Sequence, residues 1–393
     1  MPEVSRLTEA ELAFIYTEIG RGHPSYLDGI IEEMEQNYPR LSYYRTDVFK
    51  LSKGLSLGAW KLVEWLYRFG SSGGLITGFY SCLRRFTGAG QGGGKAMIGI
   101  LGRNIKRELG SFDRPIVVAH PLLARMLSAQ NRVVYQHGEM AAPSEAMVTG
   151  CTKILVPFKE TAGVFERSGV SSESVTVTGQ CIESALAQKS GLVYRRRLDR
   201  LAGKEPLTVG LFTSGACPAR HLSKLHLMAR ALFQAGYMVY VFFDRAYQVC
   251  DKIAADFRRS GLPVKRNVDE PGRLKLLTAA DRREGNQQVA ALFDRFDLFV
   301  APAHERTNWA VGLGLPMLIL CPHIGSYATQ NADLALDQKT AFEIPDNESA
   351  ARVPELIDRL RRSGELQKMA RRGFGHTKIQ GFASSARILS RLN

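Results

Sequence analysis

Between Leu298 and Pro322 the chain runs through an apolar strand, a polar loop that opens a helix, and a second apolar strand. The strands are Leu298-Phe299-Val300 and Met317-Leu318-Ile319-Leu320, and the connection ends on the turn Gly314-Leu315-Pro316. Strands joined through a helix pair in parallel, because a short turn cannot align parallel neighbours, and the crossover is right-handed. The loop before the helix carries His304, Thr307 and Asn308. It places polar groups where the first backbone N–H groups of a helix lack intrahelical partners. The pattern predicts half of a nucleotide-sized crevice at the carboxyl ends of a parallel sheet.

The same alternation recurs on both sides of a polar, basic segment, Ser184 to Pro206. Before it, Phe14-Ile15-Tyr16, Ile116–Ala119, Val133–Tyr135, Ile154–Val156 and Val175–Thr178 read as short strands separated by helical stretches. After it, Leu207–Phe212 and Tyr237–Phe243 begin a second series that continues to Leu320. This predicts α/β architecture in two domains, 1–185 and 206–370, with the basic segment as their connection and 371–393 as a terminal helix. Function in such sheets gathers beyond the carboxyl ends of the strands, where His23, His120 and His137 follow theirs.

Three short motifs carry a family resemblance. Gly20-Arg21-Gly22-His23 follows the first strand, Gly314-Leu315-Pro316 precedes a late one, and Gln330-Asn331-Ala332 comes soon after. Together they resemble the GT-B glycosyltransferases that glycosylate lipids. These include monogalactosyldiacylglycerol synthases, diacylglycerol glucosyltransferases and the N-acetylglucosaminyltransferase that completes lipid II. The resemblance implies two Rossmann-like domains facing a central cleft. The N-terminal domain would take the acceptor, the C-terminal domain the donor, and the last helix would return to the N-terminal domain. It implies an inverting hexosyltransferase moving a sugar from a nucleotide, UDP-linked, to a membrane lipid such as diacylglycerol, without a cofactor.

The resemblance also assigns residues. His23 stands near the reacting groups, and either His137 or Glu139 is the base that takes the acceptor proton. Ser214 and Gly215 admit the diphosphate, His304 and Thr307 belong to a phosphate-contacting loop, and Arg245 lines the donor site. A loop around Leu276-Leu277-Thr278 meets the nucleobase, and Gln330 and Asn331 resemble residues that contact the sugar or the helix end. The loop Thr213-Ser214-Gly215-Ala216 is thinner than the family's Gly-Gly-Ser or Gly-Gly-Gly, and the main departure is at Trp309. Trp309 occupies the place of a Glu that binds the ribose hydroxyls, and an indole cannot chelate a diol. Glu305 or Asn308 substitutes, or the donor differs, or the chain is a silent nucleotide- or lipid-binding protein. A nucleotide-sugar epimerase is a further alternative.

Charge narrows the partners. The 393 residues carry a formal net charge of +14, which suits nucleic acid, anionic membrane or an anionic substrate. No zinc-finger, RNA-recognition or KH signature is present, which sets nucleic acid aside. From Lys53 to Arg107 the single acid is Glu64, amid cations that include Lys61, Arg68, Arg84, Arg85 and Arg103. Aromatic residues interleave with them in Leu57–Phe69 and Leu75–Phe86, as suits a membrane interface. The glycine-rich loop Gly88–Gly94 lacks the Lys-Ser/Thr of a phosphate-binding P-loop and reads as a surface loop. The six cysteines are scattered, with no ligand-like spacing, and no Asp-x-Asp or histidine cluster offers a metal. The charged first residues carry no secretory signal, and no run approaches the ~18 apolar residues of a spanning helix. The expectation is a cytoplasmic protein, peripheral on the inner face of the membrane.

Overall fold

The computed structural model describes residues 3–19, 22–70, 92–215, 217–244 and 247–392. They form two compact units, Met1–Ser184 with Lys378–Asn393, and Ala185–Thr377. The stretch Leu75–Phe86, with Arg84 and Arg85, lies outside the described residues, as do Gly88–Gln91, Gly20, Arg21, Ala216 and Arg245.

The first unit is built on a parallel sheet of six strands in the order β2-β1-β3-β4-β5-β6. Its strands are β1 (Leu12–Tyr16), β2 (Tyr43–Asp47), β3 (Ile116–Val118), β4 (Val133–Gln136), β5 (Lys153–Val156) and β6 (Val175–Val177). Every residue of β1, β3 and β4 is buried. A parallel sheet covered by helices on both faces needs continuous apolar strands. Edge strand β2 reads Tyr-Tyr-Arg-Thr-Asp and is only partly buried, so it shows no apolar run in the sequence. Helix Gly22–Asn37 follows β1 and buries Tyr26, Leu27, Ile30, Ile31 and Met34. The chain returns to this unit at its end. Helix Gly381–Leu389 packs on Gly22–Asn37, with Phe382 and Ala386 in the same core. Its buried Ser385 donates a 2.7 Å hydrogen bond to Oε1 of the buried Gln136, at the end of β4.

The second unit holds a parallel sheet of seven strands in the order β13-β12-β11-β7-β8-β10-β9. They are β7 (Thr208–Phe212), β8 (Met238–Asp244), β9 (Val264–Lys265), β10 (Leu274–Ala279), β11 (Leu298–Ala301), β12 (Met317–Leu320) and β13 (Ala341–Ile344). The stretch around Leu276-Leu277-Thr278, expected as a base-contacting loop, is strand β10, with Leu276 opposite Val241 and Thr278 opposite Phe243. Over this stretch the backbone pairs along its length with β8, while β9 reaches only Leu274 and Lys275.

The segment Ser184 to Pro206 is not a bare connection. Residues Ser184–Ala202 form one helix, which is built into the second unit from Ala185 onward. Arg195 and Arg196 face solvent, whereas Arg197 is wholly buried. The Arg197 Nε donates to the Phe296 carbonyl at 3.0 Å. Its Nη1 donates to the carbonyls of Leu313 and Gly314 at 2.9 and 3.1 Å. Those carbonyls end helix Thr307–Leu313, where the last C=O groups have no intrahelical donor and favour a cation. Gly314 closes that helix at φ +58°, and a Cβ there would lie 2.5 Å from the Ala370 carbonyl oxygen. Burial pulls the Arg197 guanidinium down to about 9, with Asp297 acting in the opposite sense. Asp297 is itself buried, accepting from Arg200 Nε at 2.6 Å and from the Thr208 N–H at 2.8 Å.

Arg197→Leu leaves buried carbonyls without donors and should lower the stability of the second unit by about 3 kcal/mol in urea unfolding. Arg195→Leu, on the exposed face, should change it by less than about 0.5 kcal/mol. Equal effects of the two would mean that the buried guanidinium does not hold the helix end.

Candidate functional site

In each sheet strand order reverses beside the strand that comes first in the chain, and the loops beyond such a place diverge to leave a crevice. In the first unit this place lies between β1 and β3, which are neighbours although β2 separates them in the chain. His23 follows β1 in the first turn of helix Gly22–Asn37. His120 follows β3 and caps helix Pro121–Leu127, its Nδ1 accepting from the Leu122 N–H at 3.2 Å. The two imidazoles meet with ring centroids 4.7 Å apart and planes at 64°. The structure therefore brings together two histidines that lie far apart in the sequence. His120 both shapes its strand end and touches His23.

Gln136-His137-Gly138-Glu139 ends the neighbouring strand β4. His137 is 2% exposed, and both of its ring nitrogens are engaged. Nε2 lies 3.0 Å from the Ala141 carbonyl, which only accepts, so Nε2 carries the proton. Nδ1 then accepts from the Tyr135 hydroxyl at 3.2 Å. Burial pulls this imidazole down to about 3, against the Ala141 carbonyl and aided by the nearby His23. His137 is neutral near pH 7, and its one ring lone pair is already occupied. Of the two residues offered as base at this strand end, it is poorly suited to take a proton, and Glu139 is the other. Gly138 is required here, because a Cβ would stand 2.3 Å from the Tyr26 ring.

In the second unit strand order reverses between β7 and β11. After β7, the Thr213 hydroxyl donates to the Phe242 carbonyl at 3.2 Å. Ser214 is half-buried, Gly215 is exposed, and the Cys217 N–H closes a turn on the Ser214 carbonyl at 3.0 Å. After β11, His304 and Glu305 are half-buried, while Arg306, Thr307 and Asn308 are buried. Thr307 is 0% exposed and its Oγ1 has no hydrogen-bond partner, so this hydroxyl is turned inward. Gln330 is exposed. Asn331 is fully buried and its Nδ2 donates to the Ala303 carbonyl at 3.3 Å, which holds the loop rather than presenting the amide at its surface.

Trp309 is part of the interior. Its ring lies 5.4 Å from Phe212, 5.6 Å from Phe293 and 5.5 Å from Phe299, and 2% of the residue is exposed. Arg306 adds a cation over the Phe212 ring at 4.7 Å and pairs with Glu305 at 3.7 Å. Of the two substitutes considered for the ribose-binding carboxylate, Asn308 is sequestered and Glu305 stays partly open. Two residues the sequence did not single out hold the neighbouring loop. His221 Nε2 donates to the Pro322 carbonyl at 3.0 Å and Lys224 Nζ to the Cys321 carbonyl at 2.5 Å. Their helical spacing shows in the sequence, but their partners lie about a hundred residues away, so pattern alone gives no signal.

No protein-family model and no curated sequence matches this chain. Solved structures do. A UDP-GlcNAc 2-epimerase from Neisseria meningitidis bound to UDP-GlcNAc is 10% identical, covering 96% of this chain and 97% of its own, with a TM-score of 0.56. The Methanocaldococcus jannaschii UDP-GlcNAc 2-epimerase, in complex with UDP-GlcNAc and UDP, is 11% identical over 96% and 99%, at 0.53. MurG from Acinetobacter baumannii is 12% identical over 97% and 99%, at 0.50. The chain has the GT-B fold. At such identities the likeness establishes the fold alone. The GT-B fold accounts for the paired parallel sheets; the side chains at the two order reversals are this chain's own.

The buried histidines give a pH signature. His137 and His221 are both held well below their ordinary range by burial, to about 3 and about 4. The unfolded chain then binds more protons than the folded one as pH falls from about 6.5 toward those values. Stability should be fully present above about pH 6.5 and lost below it, by up to about 1.4 kcal/mol per pH unit for each histidine. Urea unfolding between pH 5 and 8 measures this. His137→Gln should flatten the profile, and an unchanged slope would show that His137 is charged in the folded state.

Proposed function

We propose that this protein transfers a sugar from a UDP-linked donor to a lipid hydroxyl at an anionic membrane surface. The observation that carries the reading is the His23–His120 pair at the order reversal of the first sheet, in a chain of GT-B fold. Compared structures of that fold hold UDP-GlcNAc or UDP, which supports a nucleotide-sugar ligand here.

In this reading the acceptor hydroxyl binds beside His23. Its oxygen attacks the anomeric carbon as the bond from that carbon to the diphosphate oxygen breaks. The hydroxyl proton passes to His23 or Glu139, and attack from the face opposite the leaving group inverts the configuration. Ser214 and Gly215 meet the diphosphate by close backbone approach, with His304 beside them. Glu305 takes the ribose hydroxyls in place of the carboxylate that Trp309 displaces. Gln330 meets the sugar.

The membrane part rests on helices Gly54–Gly70 and Gly92–Leu109. They pack through buried Trp60, whose Nε1 donates to the Leu101 carbonyl at 3.2 Å. Leu55, Leu62, Trp65 and Ile100 are left exposed, beside the exposed cations Lys53, Lys61 and Arg103. Apolar and aromatic groups flanked by cations suit insertion at headgroup depth. Among the described residues no helix is long and apolar enough to cross a membrane.

A nucleotide-sugar epimerase is the second reading, since two of the compared structures of this fold are UDP-GlcNAc 2-epimerases. Incubation with labelled UDP-sugars and a lipid extract separates the readings: label in the lipid supports transfer, and an isomerised UDP-sugar supports epimerisation. His23→Ala should leave UDP binding intact and lower turnover roughly 10²–10⁴-fold. Glu305→Ala should instead weaken UDP binding by about 1.5–3 kcal/mol, the usual worth of a charged hydrogen bond. UDP should raise the melting temperature of the wild type by mass action. No shift at millimolar UDP would end the donor reading.

Binding to anionic vesicles should exceed binding to neutral ones and weaken with salt, each surface cation contributing about 1 kcal/mol. Lys61→Glu with Arg103→Glu should reduce it more than Arg195→Glu with Arg196→Glu. Equal binding to both vesicle types would remove the electrostatic part of the reading.

A further inference from the structure

Three side chains of different chemistry converge where β12 ends beside β13, the strand that carries Glu343. Cys321 Sγ, a His323 ring nitrogen and a Glu343 carboxylate oxygen all lie within 4.8 Å of one another. Sγ is 3.9 Å from His323 Nε2, and Nε2 is 2.7 Å from Glu343 Oε1. The sequence gives little hint of this, because Glu343 sits a strand and a helix away from the other two.

The backbone fixes the arrangement. β12 and β13 pair with Ile319 opposite Glu343, and the Cys321 N–H donates to the Ile344 carbonyl at 3.2 Å. Past the cis Cys321–Pro322 peptide, the Lys224 and His221 bonds hold both carbonyls of the turn. Cys321 and His323 are half-buried, while the Glu343 side chain is 41% exposed, so solvent reaches the group from one side.

We propose that Cys321, His323 and Glu343 bind one divalent transition metal of the zinc class, with water completing a tetrahedron. A thiolate, an imidazole and a carboxylate together select zinc over magnesium or calcium, which take oxygen-only shells. Zinc bonds of about 2.3 Å to sulfur and about 2.0–2.2 Å to nitrogen and oxygen set tetrahedral ligand atoms roughly 3.4–3.6 Å apart. The Sγ–Nε2 spacing is close to this already. The imidazole–carboxylate hydrogen bond must open by roughly 0.7 Å to reach that spacing, and the exposed Glu343 side chain has room to move. On binding, the thiol proton leaves to solvent and the imidazole proton shifts to Nδ1. The ion would clamp β12 to β13 and fix the turn that opens helix Ser326–Asp337. The site is independent of the nucleotide reading.

The test uses the full chain, reduced with a non-chelating phosphine and titrated with Zn²⁺ against a chromophoric chelator. About one equivalent should bind at micromolar affinity or tighter, and Cys321→Ser, His323→Asn and Glu343→Gln should each weaken it about 10–100-fold. Co²⁺ should give a sulfur-to-metal charge-transfer band that Cys321→Ser abolishes, and excess Mg²⁺ should not displace Zn²⁺. Glu343→Gln alters an exposed side chain, so it tests the site even where a half-buried variant fails to fold. No binding by the wild type, displacement by Mg²⁺, or affinity unchanged in Glu343→Gln and Cys321→Ser would overturn the site. UDP binding, measured separately, bears on the nucleotide reading and leaves this result untouched.

Discussion

Parallel pairing is the constraint from which the rest follows. A parallel neighbour is reached by a crossover, so the strands are followed by helices that cover the sheet, save the two-residue β9, which leads into β10 through a loop. Both faces are then buried, and all strands deliver their carboxyl ends to the same edge. In each unit the first strand formed lies inside the sheet, with later strands added on both of its sides. The order reversal beside it is a place where adjacent loops diverge. His23 and His120 meet at one reversal, and the Ser214 and His304 loops flank the other.

Buried polar groups hold this frame where helices end. Arg197 supplies donors to the terminal carbonyls of helix Thr307–Leu313, and Asp297 accepts from Arg200 and from the start of β7. In the first unit the Ser385 hydroxyl, in the middle of the terminal helix, donates to the Gln136 side chain at the end of β4. Each satisfies a group that would otherwise be desolvated without a partner. The same economy governs His137, whose two nitrogens serve the Tyr135 hydroxyl and the Ala141 carbonyl. A histidine at a strand end beside a glycine looks reactive in the sequence. Its burial and its two bonds make it a fixed, neutral part of the wall.

Trp309 stands out in the sequence only through the family resemblance, at the place where a ribose-binding carboxylate is expected. The helix turns that position toward Phe212, Phe293 and Phe299, and the indole completes an aromatic core. Beside it, Arg306 stacks over Phe212 and pairs with Glu305, which holds the loop in place.

The sequence by itself determined the α/β class, the inner strands of the first sheet, β7, β8, β11 and β12 of the second, and the loops that follow them. Inner strands of a covered parallel sheet must be continuously apolar, and that run is legible residue by residue. Edge strand β2 and the short β9 were not legible, because a partly covered edge tolerates residues such as Arg45 and Asp47. Strand β10 was misread as a loop, since Leu-Lys-Leu-Leu-Thr-Ala does not reveal that its backbone pairs with β8. Only the tertiary structure decided that Ser184–Ala202 is a helix anchored by Arg197 and that His120 touches His23. It alone set Cys321 and His323 beside Glu343. Each depends on partners brought close by crossovers rather than by chain neighbourhood. A local pattern shows which residues are polar, but not which polar groups will meet.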